Sequence, residues 1–249
     1  MGKIISFANV KGGVGKTTLN MLFADYLHSI KEYQVCLLDL DYKQSSINNV
    51  RKKEKEKFVQ KAKERWESDP ANPPFSNPQR IKIEKIFDDS TYGVIAKKAD
   101  ELKKLNLDAV VENYDYVVID FPGSLDAPGV IEFYRLVDYL FAVTSPDPMD
   151  VDGTEIYIDT YLKEVKPIRD NAGIKTSFYG VANQIKKKTY EYKEFSDKKE
   201  SFKIPFLENE LPDITDMKRV TTFEINFKEF SKGSVMEKFC EEVFAIIKK

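Results

Sequence analysis

Histidine and cysteine are scarce in this sequence, with one and two residues in 249. The single histidine, His28, lies in a helix-like stretch away from every motif below. That placement leaves no serine–histidine–aspartate set and no histidine metal cluster to consider, and His28 reads as a surface residue. Cys36 and Cys240 are far apart and sit among apolar residues, which gives neither a disulfide framework nor metal-ligand spacing. They read as reduced core residues of a cytoplasmic protein. No apolar run approaches the ~20 residues that a membrane helix needs. Met1-Gly2-Lys3 leads directly into an apolar strand, so no secretory leader is expected. Charge of one sign is also missing. Thirty-nine Lys and Arg face 41 Asp and Glu, for a net charge of −2, so no whole-molecule field points to nucleic acid. Any DNA contact would have to be a local patch. No internal repeat is visible, and 249 residues suffice for one large α/β domain with a sizeable core.

What is present is concentrated in residues 4–30. Ile4, Ile5, Phe7 and Val10 read as a buried strand that runs straight into glycines. After Thr18 the apolar residues Leu19, Leu22, Phe23, Tyr26, Leu27 and Ile30 fall at helical spacing. Between strand and helix stands KGGVGKTT, residues 11–18. Gly12, Gly13 and Gly15 let the backbone wrap closely and point N–H groups at an anion. The helix start, with Val14 just before it and Thr18 in its first turn, adds unpaired N–H groups and a positive dipole end. Lys16 supplies a point charge for β- and γ-phosphates, and the Thr17 hydroxyl suits a magnesium ion. A plain strand-to-helix turn with a chance lysine is the bland alternative.

The usual phosphate loop has glycine where this chain has Val10, and here a second lysine, Lys11, opens the loop. KGGVGKTT thereby resembles the deviant Walker A box of the ParA/MinD family of ATPases. The resemblance implies that Lys11 reaches across a nucleotide-sandwich dimer to the phosphates bound by the partner. Further segments resemble the same family in the same order. QVCLLDLD (34–41) reads as a strand ending in Asp39 and Asp41, two residues apart and so on one face. The resemblance makes Asp41 the residue that orients the attacking water near the metal, with Asp39 in support; Tyr42 replaces the usual proline. YDYVVIDFPGS (114–124) resembles the Walker B segment, with a strand over Tyr116–Ile119 and Asp120 holding magnesium through water. Asn183, ending the strand in 178–188, would read adenine, an amide being able to donate and accept at once. Pro205, in the expected last strand and loop at 203–214, would line the base pocket.

Between these motifs the reading is coarser. Residues 44–68 are a charged, exposed helix with a sparse apolar stripe (Ile47, Val50, Phe58, Val59, Ala62, Trp66), stopped by a proline-rich loop. The IKIEKIF stretch (81–87) reads as a strand and 94–112 as an amphipathic helix. A strand at 137–145, a turn and helix cap over PDPMDVDGTE (146–155), and a helix at 154–165 follow. The last twenty residues form an amphipathic helix, either packed on the sheet or lying on a membrane surface. Glu237, Glu241 and Glu242 on its polar part favour the sheet.

Together these readings give one doubly wound, mainly parallel α/β domain over 1–249, with a charged helical and proline-rich insertion at about 50–80. The resemblance implies magnesium-dependent ATP hydrolysis, with Lys11, Lys16, Asp41 and Asp120 as catalytic residues. It places Gly12 to Thr18, Asn183 and Pro205 on the nucleotide and Thr17, Asp41 and Asp120 at the metal. It further implies an ATP-dependent homodimer, a stimulatory partner protein and partition of a plasmid or mobile element. Non-specific DNA is a candidate partner at Lys232, Lys218 and Arg219, with Lys186–Lys188 and Lys228 as further basic groups. A membrane-surface positioning ATPase resembling MinD, and an ATP-dependent metabolic enzyme on the same scaffold, are the alternatives.

Overall fold

In the computed structural model the described residues are 2–40, 46–68, 80–97, 107–123, 130–213 and 231–249. Six strands form one sheet: β1 (Lys3–Ala8), β2 (Val35–Asp39), β3 (Gly93–Ala96), β4 (Tyr116–Asp120), β5 (Tyr139–Thr144) and β6 (Ser177–Ala182). Their order is β3-β2-β4-β1-β5-β6, and every pairing is parallel. β1 is central. The chain moves to one side of it through β2, β3 and β4, then to the other through β5 and β6. A crevice therefore opens at the carboxyl end of β1, where such sheets take ligands.

Alternation along each strand splits the core into two layers. Ile5, Phe7, Leu37, Val118, Phe141 and Val143 face the layer completed by α1 (Lys16–Asp25) and α9 (Val235–Ile247). Ile4, Ala8, Leu38, Val117, Ile119 and Leu140 face the layer containing Val130 to Tyr134 of α5 (Val130–Tyr134) and Tyr157 and Ile158 of α6 (Pro148–Thr160). Aromatic rings fill both: Phe7 stacks on Phe141 at 5.0 Å, and Phe121 stacks on Tyr134 at 3.9 Å.

The charged helix is α2 (Ser46–Ser68), as its spacing predicts, with Ile47, Val59 and Ala62 buried. IKIEKIF is not a strand. It forms α3 (Arg80–Asp89), because Ile83 and Phe87, four apart, meet one helical face. Ile83 packs with Val59 and Ala62 of α2, and Phe87 lies 5.6 Å from the Phe58 ring. The third strand is instead the short, half-buried Gly93–Ala96 at the sheet edge, overlapping the start of the stretch read as an amphipathic helix. Only the end of that stretch is helical as described, α4 (Leu107–Asn113), and 98–106 lie outside the described residues. The proline-rich loop at 69–79 also lies outside them.

Two boundaries move. α6 begins at Pro148, six residues before the expected start, because Asp147 caps it by accepting Met149 N–H at 2.9 Å. It runs on through a π-type turn, Tyr161–Val165, into α7 (Lys166–Asn171). Of the expected last strand and loop, the described residues 203–213 make no strand beyond isolated parallel bridges of Phe206 to Gly180 and Pro212 to Ile185. Pro205 and Pro212 interrupt the donors that a full ladder requires. Before that segment, Thr189 caps α8 (Tyr190–Lys198). His28 is half-buried rather than on the surface, with Nδ1 3.4 Å from the Tyr33 carbonyl and its ring edge-on to Tyr92. Cys36 and Cys240 are buried and free, as expected.

Candidate nucleotide site

The site is assembled at the carboxyl ends of β1, β2, β4 and β6. β1 delivers Asn9, after which residues 10–15 loop over the sheet edge to α1. Gly15 occupies the N-cap position of α1 with φ of 97°, and a Cβ there would stand 2.3 Å from Asn183 Nδ2. Glycine is thus required twice at this point, for backbone sign and for space. The loop has no side-chain cap, which leaves first-turn N–H groups available to an anion.

Neighbouring amides clamp the loop from β6. Asn183 Nδ2 donates to the Val14 carbonyl and Gln184 Nε2 to the Gly13 carbonyl, each at 2.8 Å. Asn183 is buried, and its amide lies against the glycine loop itself. Pro205 is exposed and sits lower along β6, its carbonyl accepting Gly180 N–H at 2.8 Å. No described contact joins it to residues 11–18.

Lys16 is buried and folds back so that Nζ donates to the Lys11 carbonyl at 2.5 Å. Gly123, just past β4, approaches it, since a Cβ there would lie 3.8 Å from Lys16 Nζ. Thr17 Oγ1 donates to Asp120 Oδ2 at 2.8 Å, and Asn20 Nδ2 donates to Asp120 Oδ1 at 2.8 Å. Asn20 also exchanges hydrogen bonds with Phe7 N–H and carbonyl, both at 2.9 Å, which fixes α1 against β1. Asp39 and Asp120 are register partners on β2 and β4, and both are fully buried.

Burial pushes the Asp120 carboxyl up to about 7; the Asp39 charge adds to this, while the hydrogen bonds from Thr17 and Asn20 and the charge of Lys16 oppose it. A dication beside this carboxylate would offset the desolvation and bring the value down again. The hydroxyl of Thr17 and the carboxylate of Asp120 are the hard oxygen donors that magnesium takes. Among the described residues no set of three or more His, Cys, Asp or Glu could hold a metal alone. The donor set fits an ion that keeps waters and leans on phosphate oxygens. Asp41, Lys218, Arg219 and Lys228 lie outside the described residues.

Sequence reasoning missed Asn9, Asn20 and Gln184. Asn20 had a readable signal, a polar residue on the buried face of an apolar helix one turn after Lys16. Asn9 is buried at the strand end, and its Nδ2 reaches the Val143 carbonyl at 2.6 Å and Thr154 Oγ1 at 2.7 Å. Nothing local announces those partners.

Comparison with known proteins agrees with this fold. A family model described as an AAA domain matches residues 2–174. An uncharacterized protein of Methanocaldococcus jannaschii is 29% identical over 197 residues, which cover 69% of this chain and 70% of that protein. A plasmid partition protein of Borrelia burgdorferi bound to AMPPNP superposes with a TM-score of 0.59 at 22% identity, covering 99% of this chain and 98% of that one. The septum site-determining protein MinD of Pyrococcus horikoshii, complexed with Mg-ADP, gives 0.62 at 17% identity, covering 100% and 99%. The ParA protein of pNOB8, bound to nonspecific DNA, gives 0.59 at 18% identity, covering 100% and 99%. With its parallel sheet, its glycine loop opening α1 and a buried aspartate ending β4, the chain belongs to the AAA domain family of ParA/MinD-type ATPases.

Proposed function

We propose that this ATPase is a partition switch: it binds ATP with magnesium, pairs with a second copy, and the pair holds DNA without sequence preference. The observation that carries the reading is the loop at residues 11–18, with its free helix start, its buried Lys16 and Thr17 held 2.8 Å from Asp120. On this reading the loop N–H groups and Lys16 bind the phosphates, and Thr17 and Asp120 would hold magnesium, which would supply charge stabilisation for phosphoryl transfer. Lys11 completes the site of the partner, and Asp41 orients the attacking water. A partner protein raises the slow basal rate. The cargo is a plasmid or mobile element, and the protein works in the cytoplasm on the nucleoid.

DNA is preferred over a membrane surface because α9 has no apolar face to spare. Met236, Phe239, Cys240, Val243, Phe244 and Ile247 are all buried in the core. Lys232, in the turn before α9, and Lys186 to Lys188 are exposed. Lys186 is paired with Asp213 at 2.9 Å, so Lys188 and Lys232 are the better phosphate contacts. Pairing doubles whichever patch lies on one face and makes weak contacts additive in one complex. A gel shift on random duplex at low salt tests this. Binding with ATP, weaker binding with ADP and a loss on Lys232→Glu are expected, with steep weakening as salt rises. Equal or absent binding in both nucleotide states, with ATP-dependent binding to anionic vesicles, would replace DNA by a membrane.

A further inference from the structure

The Lys11 side chain is laid across α6. A Cβ built on Gly153 would stand 2.3 Å from Lys11 Cε, 2.6 Å from Cγ and 3.0 Å from Cδ. The methylene stem therefore occupies the space that any other residue at 153 would need. Gly153 is buried inside α6 without a positive φ, so glycine is not needed there for backbone conformation. In a helix interior glycine is destabilising relative to alanine, which makes its presence here a matter of space.

The next residue of α6 holds the other end of the same lysine. Thr154 Oγ1 accepts Asn9 Nδ2 at 2.7 Å, and Asn9 Oδ1 accepts the Lys11 backbone N–H at 3.2 Å. Two consecutive α6 residues thus position both backbone and stem of Lys11. Among the described residues the Lys11 ammonium has no hydrogen-bond or ion-pair partner, whereas Lys16 Nζ is engaged at the Lys11 carbonyl. The stem is packed on Gly153 and the charge is unspent.

We propose that Gly153 is a positioning residue for Lys11. The gap at its Cα seats the lysine stem so that the ammonium is presented, already ordered, to the phosphates of a second copy. This rests on the reading that Lys11 completes the partner's site. Less side-chain freedom is then lost when the pair forms, and the contact strengthens accordingly. Lys11 is a flexible, half-exposed chain, so a methyl group at 153 displaces it without disturbing the helix.

The test is a cycle of wild type, Gly153→Ala, Lys11→Ala and the double variant, read by ATP affinity of the single subunit, kcat, nucleotide-dependent pairing and melting midpoint. Gly153→Ala should lower kcat tenfold or more and weaken pairing, with subunit affinity for ATP unchanged. In the Lys11→Ala background it should reduce neither any further. Its melting midpoint should rise more there than beside Lys11, since the collision is gone and the helix propensity gain remains. Wild-type kcat and pairing for Gly153→Ala would overturn the seat, as would an equal loss with and without Lys11. Wild-type behaviour of Lys11→Ala alone would instead overturn the reading beneath it, and the seat with it.

Discussion

At the scale of single residues, the legible part of the site was the part encoded locally. Lys16 and Thr17 announce themselves by adjacent glycines and a helix start, and Asp120 by ending an apolar strand. Their supports were not legible, because the partners are remote in the chain. Asn20 meets Asp120 across 100 positions and Asn9 meets Thr154 across 145. A second hidden feature is Asp25, buried at the end of α1, with Ser29 Oγ donating to it at 2.9 Å. Burial raises its carboxyl from 3.8 to about 7, against the hydrogen bond from Ser29 and the Arg51 charge, with Glu54 adding to the rise. A carboxyl raised in the folded state binds its proton more tightly there than when unfolded. Its contribution to stability is therefore intact below about 4 and is lost as pH climbs through about 7. Asp120 carries the same sign in the absence of metal. Asp25→Asn keeps an acceptor for Ser29 and removes the charge. It should raise the melting midpoint at pH 8, by up to about 4 kcal/mol of stability, with the difference shrinking toward pH 4. A variant whose advantage is the same at both ends of that range would show that Asp25 does not titrate in this window.

At the scale of elements, strands β1, β2, β4, β5 and β6 were readable as apolar runs because a parallel sheet covered on both faces needs them so. β3 was not, being four residues long and only half-buried at the edge. IKIEKIF shows the opposite failure. Ile81 and Ile83 mimic alternation, while the contact that decides is Ile83 and Phe87 against α2, which no local period reveals. α9 combines a readable face with a readable cap. Ser234 Oγ accepts Glu237 N–H at 3.1 Å, and the Glu237 carboxylate accepts Gly233 N–H at 2.5 Å. Ser234→Ala should cost about 1 kcal/mol, and Phe239→Ala, which empties a fully buried position, about 3–5 kcal/mol. Chemical denaturation checks both. Equal, small losses would mean that α9 is peripheral to the core, and the membrane-surface reading would regain its helix.

At the scale of the whole molecule, the glycine loop, Asp39, Asp120 and Asn183 were each read at the end of an apolar strand, and the sheet brings the carboxyl ends of β1, β2, β4 and β6 to one edge, which is why fold and family were readable together. The α2–α3 pair was legible only in part, because its packing is its own and not that of the sheet. The central claim is that nucleotide on this loop brings two copies together through Lys11. Light scattering on a column, with magnesium and a slowly hydrolysed ATP analogue, measures it most directly. Twice the single-chain mass is expected for wild type. Lys11→Ala should bind the analogue and stay at single mass, while Lys16→Ala should lose analogue affinity tenfold or more, on the order of 1.4 kcal/mol. A wild-type protein that binds the analogue and remains at single mass, or a Lys11→Ala protein that pairs as wild type does, would contradict the account.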